Sequence, residues 1–285
     1  MRRVQTIQRD FYPGDRWVFF KIYGGLVACD NLLIDKIYPL AKRLMKAGMI
    51  KKWFFIRYSD PHLHLRVRFE LASPECFANV VESVNRTIAP LCRKRLLVKM
   101  VLDTYRREIE RYSMRLIETS ETLFCHESDC ICTVLKHLAR NGKRDNRWMI
   151  AFRMAELMLT SFGLSLEEKH NLSKRMCKSM LKEFGYDEHN QKPLNERYRA
   201  LRKDVANSVE GTFDTPVTTA IEKYAQAISN TLDSCRYKDV NITSHIHMMN
   251  NRLFAAQGRF HEMMLYFCLS RFYESRLARI KYNNK

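Results

Sequence analysis

The chain has 285 residues, of which 46% are hydrophobic, enough to build a core in one large domain or two small ones, so a disordered or fibrous protein is excluded. Lys and Arg number 49 against 31 Asp and Glu, and the resulting net charge of +18 concentrates anionic partners near the surface without specifying which. No uncharged apolar run of about eighteen residues occurs, and Met1-Arg2-Arg3-Val4-Gln5 leads into polar residues rather than a signal-peptide core; a soluble, cytoplasmic protein without a membrane span is expected.

In chain order, "RWVFFKIY" (16–23) reads as a strand that Gly24-Gly25 ends. Asp30 is the predicted cap of a helix whose apolar positions Leu33, Ile37, Leu40, Ala41 and Leu44 follow helical spacing as far as Gly48, with a kink at Pro39. "WFFIRYSDPHLHLRVRFEL" (53–71) reads as a hairpin turning at Ser59-Asp60-Pro61. Ser73-Pro74-Glu75 opens a helix that is expected to run to Ala89, before Pro90, and "LLVKMVLDTY" (96–105) is a further strand. From Met114 onward the pattern is helical: 114–124, 128–140, 146–161, 166–184, 193–209, 216–234 and 244–281, with loops at 186–192 and 209–216. The expectation is an α+β protein: a small mixed β-sheet in the N-terminal part (1–112) and a predominantly helical C-terminal part (113–285), together forming one domain.

Nine cysteines in scattered, mostly apolar surroundings predict reduced, buried thiols. Only "CHESDCIC" (125–132) carries zinc-type ligands close together, and no second CxxC or HxxxH completes a standard spacing, so no metal or cofactor is expected. The basic residues, including Arg93-Lys94-Arg95 and the run from Arg197 to Lys203, are spread along the chain with no nucleic-acid-binding motif beside them.

Three stretches carry residue types suited to chemistry. In the second hairpin strand, alternation puts His62, His64, Arg66, Arg68 and Glu70 on one face and Leu63, Leu65, Val67, Phe69 and Leu71 on the other. A solvated outer face explains such a pattern; an anion site explains why the charges are Arg and His, since guanidinium groups bind carboxylate or phosphate through paired hydrogen bonds. In "YRREIERY" (105–112), Glu108 and Arg111 are three apart and pair if the segment is helical. In "SHIHMMNNRLF" (244–254), Ser244 is a helix-cap candidate, His247 and Asn251 lie one turn apart, and Arg252 follows. His247 reads either as a core-facing histidine or as a proton acceptor kept neutral by nearby arginines.

Taken in order, "WFFIRYSDPHLHLRVRF", "LDTYRREIERY" and "HMMNNRLF" resemble the C-terminal elimination domain of lantibiotic dehydratases and the stand-alone thiopeptide-type bacteriocin biosynthesis proteins built on it, over essentially the whole chain. The resemblance implies a lyase that expels glutamate from glutamylated Ser or Thr of a precursor peptide, leaving dehydroalanine or dehydrobutyrine. It implies as partners a leader-bearing precursor peptide and a separate glutamyl-tRNA-dependent glutamylating protein; direct tRNA binding and a homodimer stay open. By the same resemblance Arg68, Arg111 and His247 are the catalytic candidates, His247 as acid/base, and Arg66, Arg252, Arg57 and His64 the substrate-binding ones. The family commonly has glycines after its E-x-R-Y motif, whereas Ser113-Met114 stands here. Two alternatives remain: a thiopeptide cyclase joining two dehydroalanines by [4+2] cycloaddition, and a non-catalytic scaffold holding an acidic leader or tRNA.

Overall fold

The computed structural model describes residues 7–187, 189–233 and 241–283, so the extreme amino terminus and Cys235 lie outside the described residues. The chain divides into two compact units, Met1–Lys136 with Asp233–Ser244, and His137–Leu232 with His245–Lys285. No described helix is long and apolar enough to cross a membrane.

In the first unit, β1 (Asp10–Phe11) pairs with β6 (Tyr105–Arg106), while β2 (Trp17–Tyr23), β3 (Ile50–Ser59), β4 (Leu63–Leu71) and β5 (Lys99–Asp103) form a four-stranded sheet in the order β3-β4-β2-β5. Every pairing is antiparallel, where a mixed sheet was expected. The reason is topological: the β3–β4 hairpin places β4 between the strands that the first helical crossover joins, so those parallel strands never touch. This is the split β-α-β-β-α-β arrangement of ferredoxin-like folds.

The first crossover is α1 (Leu26–Leu32), a π turn over Leu33–Ile37, and α2 (Tyr38–Lys46). Helix α1 starts at the extended Gly25, so Asp30 is not its cap; Asp30 is buried on the helix and pairs with Arg57 at 2.7 Å. The kink predicted at Pro39 takes the form of that π turn, which leaves Pro39 in the first turn of α2, where a missing N–H costs nothing. The second crossover, α3 (Phe77–Arg93), continues past Pro90 into its last turn and buries Val80, Val84 and Ile88. Helix α4 (Ile109–Arg140) is continuous across residues 125–127, where a break was expected, because no Gly or Pro interrupts it there and Cys125 and Glu127 are buried. Its Trp53 and Phe55 contacts cover the edge strand β3: Asp129 accepts from Trp53 Nε1 at 2.9 Å and Ser128 Oγ from the Phe55 amide at 3.4 Å.

The second unit is helical: α5 (Arg147–Ser161), α6 (Leu166–Glu183), α7 (Lys192–Glu210), α8 (Thr215–Asp233), and the end of the chain. The helix expected over 244–281 is two, α9 (Ile242–Leu253) and α10 (Gly258–Asn283), because Gln257 turns the chain at φ 52° and Gly258 opens the next helix. Asn241, not Ser244, caps α9, its Oδ1 accepting the Ser244 amide at 3.2 Å. Helix α10 packs against α6, α7 and α5 and buries Met263, Leu265, Tyr266, Phe267, Leu269 and Phe272, which makes it the centre of this unit's core.

Candidate functional site

Strand β4 has the predicted alternation, but its charged face is not a solvated one: His64 is 1% exposed, Arg68 6% and Glu70 5%. The register puts these residues opposite Tyr23, Phe19 and Trp17 of β2 and opposite Tyr58, Phe54 and Lys52 of β3, so aromatic rings wall each charge. The Arg68 guanidinium sits 4.5 Å from the Phe19 ring centre, 5.1 Å from Phe54 and 4.7 Å from Tyr105. Such desolvated cation–π contacts are worth about 2 kcal/mol each and leave a stiff, strongly electrostatic group.

Arg66, half-buried, lies 3.5 Å above the Tyr58 ring. Its Nε donates to His64 Nε2 at 3.2 Å, and His64 Nδ1 lies 2.8 Å from the His62 carbonyl oxygen. Those two bonds require the neutral tautomer with the proton on Nδ1. Burial, opposed by the His62 carbonyl and reinforced by Arg66 and Lys21, lowers the His64 pKa and so favours that neutral form. His64 thus aims Arg66. On the same face Lys21 pairs with Asp103; that carboxyl lies below its usual range because the Lys21 hydrogen bond and charge and the Thr104 amide together outweigh burial, which is the largest single influence and acts upward.

A second set of charges supports Arg68 from behind. Arg107, 1% exposed, gives Nε and Nη2 to the two oxygens of Glu121 at 2.7 and 2.6 Å, and the Tyr105 hydroxyl donates to the same carboxylate at 2.9 Å. Glu70 is balanced by Arg16 Nε at 3.1 Å and Lys52 Nζ at 3.5 Å. Arg111 is 41% exposed and pairs with Glu108 at 3.2 Å, as its spacing predicted. Two residues on, Ser113 has φ 61° and ψ 155°, a conformation that is nearly exclusive to glycine.

Arg57 departs from this group. The register places it opposite Leu65, on the helix-covered face, where its Nη2 meets Asp30 at 2.7 Å.

In the second unit, His247 Nδ1 lies 2.8 Å from Glu262 Oε2. Glu262 is 1% exposed and also accepts from Arg259 Nη1 at 2.8 Å, while Arg259 grips Glu183 at 2.9 and 2.6 Å. A carboxylate accepting at Nδ1 leaves the Nε2 lone pair of the half-exposed imidazole free to take a proton. Arg252 is fully buried beside His245, whose pKa burial and then the Arg252 charge push down to about 3.

Glu262, Arg259 and the Arg107–Glu121 pair went unnoticed in the sequence. Fifteen residues separate Glu262 from His247, and nothing in "YRREIERY" marks Arg107 apart from its exposed neighbour Arg106. The cysteines of "CHESDCIC" are buried along α4, and burial raises the pKa of Cys125 to about 11 and of Cys130 further. Among the described residues no group of three or more His, Cys, Asp or Glu is placed to hold a metal ion.

A ferredoxin-like unit with a ring-walled arginine and a helical unit with a carboxylate-held histidine make up an α+β protein. Residues 17–273 match the lantibiotic biosynthesis dehydratase C-terminal model, and the chain belongs to that family. It is 24% identical over 276 residues to the subtilin biosynthesis protein SpaB of Bacillus subtilis, covering 94% of this chain and 26% of that protein. The chain therefore spans about a quarter of the length of the curated relatives it matches. Among solved structures, the fold is similar to the tRNA-dependent lantibiotic dehydratase MibB from Microbispora sp. 107891, with TM-score 0.65 and 22% identity, covering 94% of this chain and 29% of that one. It is equally similar to the pyridine synthase TbtD from thiomuracin biosynthesis, with TM-score 0.65 and 12% identity, covering 91% and 99%.

Proposed function

We propose that this chain acts as one elimination-type domain that removes glutamate from glutamylated Ser or Thr in a precursor peptide. The observation that carries the reading is the His247–Glu262 contact: a buried carboxylate 2.8 Å from Nδ1 orients the ring and leaves Nε2 as a base. Nε2 takes the Cα proton, the electron pair forms the Cα–Cβ double bond, and the Cβ–O bond breaks. Glutamate leaves as a carboxylate, whose conjugate acid has a pKa of about 4, so departure needs no strong acid. Arg68 and Arg111 are the groups for developing negative charge, and Arg66, aimed by His64, for a glutamate carboxylate. Arg252, fully buried beside His245, has a supporting part in the helix that carries His247. Arg57 is the weakest of the candidates, because Asp30 already occupies it.

The test is a synthetic peptide bearing a glutamyl-Ser ester, followed for free glutamate and for peptide mass. Glutamate release with a new dehydroalanine supports the reading, and His247→Ala abolishes it. An ester that stays intact with a bis-dehydroalanine peptide consumed instead makes the protein a cycloaddition enzyme. Binding of the peptide with neither reaction leaves the scaffold.

A further inference from the structure

The basic run from Arg197 to Lys203 has no part in this chemistry, yet it lies on α7 facing the basic end of α10. The two helices line a cleft of about 620 Å3 into which Tyr198, Arg202, Lys203, Arg271, Arg276 and Arg279 converge. Glu210 and Glu274 complete the lining, and Glu210 is already paired with Arg276. Five cations thus face two carboxylates. A rise of about 21 Å along α10 separates Arg276 from Glu262, so this cleft is distinct from the His247 site.

Arg271 is preset for a ligand. Its guanidinium lies 3.6 Å above the Phe267 ring, Nη2 donates to Asn195 Oδ1 at 2.7 Å, and Nη1 donates to the Phe267 carbonyl at 3.4 Å. A side chain already immobilised loses little entropy on binding. Burial raises the Tyr198 phenol above the ordinary tyrosine range, Cys268 adding and Arg271, Arg202 and Arg279 opposing, so the hydroxyl remains a donor near three guanidinium groups.

We propose that this α7–α10 cleft binds a multiply charged phosphate ligand, with Arg202, Arg271 and Arg279 as the principal contacts and Tyr198 as a hydrogen-bond donor. A single carboxylate leaves most of the local positive charge unneutralised, whereas linked phosphates match it and present oxygens to forked guanidinium donors. The phosphates belong either to a small polyphosphate ester or to an RNA backbone.

Calorimetric titration of the whole chain with sodium tripolyphosphate and, separately, with a short single-stranded RNA tests the site and distinguishes the sources. Saturable tripolyphosphate binding is expected, weakened about tenfold or more by Arg202→Gln/Arg279→Gln, since each substitution removes a charge-assisted contact. Lys46→Gln/Lys51→Gln removes the same charge from exposed positions of the first unit and is expected to leave binding unchanged. RNA bound with the same sensitivity to the cleft variant supports the site and assigns a polymer to it. The proposal is overturned by absence of tripolyphosphate binding, by equal losses in both variants, or by a hexaglutamate peptide binding more tightly than tripolyphosphate.

Discussion

Replacing Arg107 with Met tests the charge pair behind the Arg68 cage. The guanidinium, 1% exposed, forms two bonds of 2.7 and 2.6 Å to Glu121, itself fully buried, and adds contacts to the Gln8 carbonyl at 3.1 Å and Glu118 at 3.3 Å. Without it, the Glu121 carboxylate retains the Tyr105 hydroxyl but loses its balancing cation inside the protein. Removing one member of a buried pair costs about 3–5 kcal/mol, which at about 2–4 °C per kcal/mol for a unit of this size lowers the melting temperature by about 6–20 °C. Thermal unfolding followed by circular dichroism measures it. The double variant Arg107→Met/Glu121→Leu removes both charges and is expected to recover most of the loss, because the cost lies in the orphaned carboxylate and not in the missing bond. A single variant that melts within about 1 °C of the parent, or a double variant no more stable than the single one, refutes the reasoning. Because Tyr105 lies 4.7 Å from the Arg68 guanidinium and is tethered by Glu121, the single variant should also slow glutamate release.

Three further outcomes are expected. Glu262→Gln should lower kcat of glutamate release by about 10–100-fold with little change in KM, since an amide no longer dictates which ring nitrogen of His247 carries the proton; an unchanged kcat removes Glu262 from the mechanism. Ser113→Gly should raise stability by about 1–3 kcal/mol, seen as a higher urea midpoint, because Ser113 occupies a backbone conformation that costs that much for any residue with a Cβ. His245 takes up its proton near pH 6.5 in the unfolded chain but only near 3 when folded, so its contribution is present above pH 6.5 and is lost as pH falls toward 3, at about 1.4 kcal/mol per pH unit. His245→Gln should flatten that slope between pH 6 and pH 4 in urea titrations, and identical slopes would rule out His245 as the source.

How much could be read before folding depended on the range of the interaction. Period-two alternation along residues 63–71 and helical spacing after Met114 are local patterns, and both the hairpin and the helices formed where those patterns lie. The family membership was legible for the same reason, because its motifs are contiguous stretches. The Glu108–Arg111 pair, three residues apart, was likewise within reach of spacing alone. Local signals failed where a partner arrived from elsewhere in the chain. Asp30 looked like a cap until Arg57 claimed it from strand β3, and alternation alone left the charged face of β4 open between a solvated face and an anion site, whereas in the fold Phe19, Phe54 and Tyr105 close over Arg68. The strand order, too, follows from insertion of one hairpin between two crossovers, which no single segment encodes.

The residue types available for chemistry and their order along the chain were therefore determined by the sequence itself. Only the tertiary structure decided which charges are buried, which are balanced and which are aimed. Glu262 acquires meaning by meeting His247 across the turn between α9 and α10, and Arg107 by meeting Glu121. Burial and electrostatic pairing depend on distance in space, and a chain that folds back on itself makes that distance independent of separation in sequence.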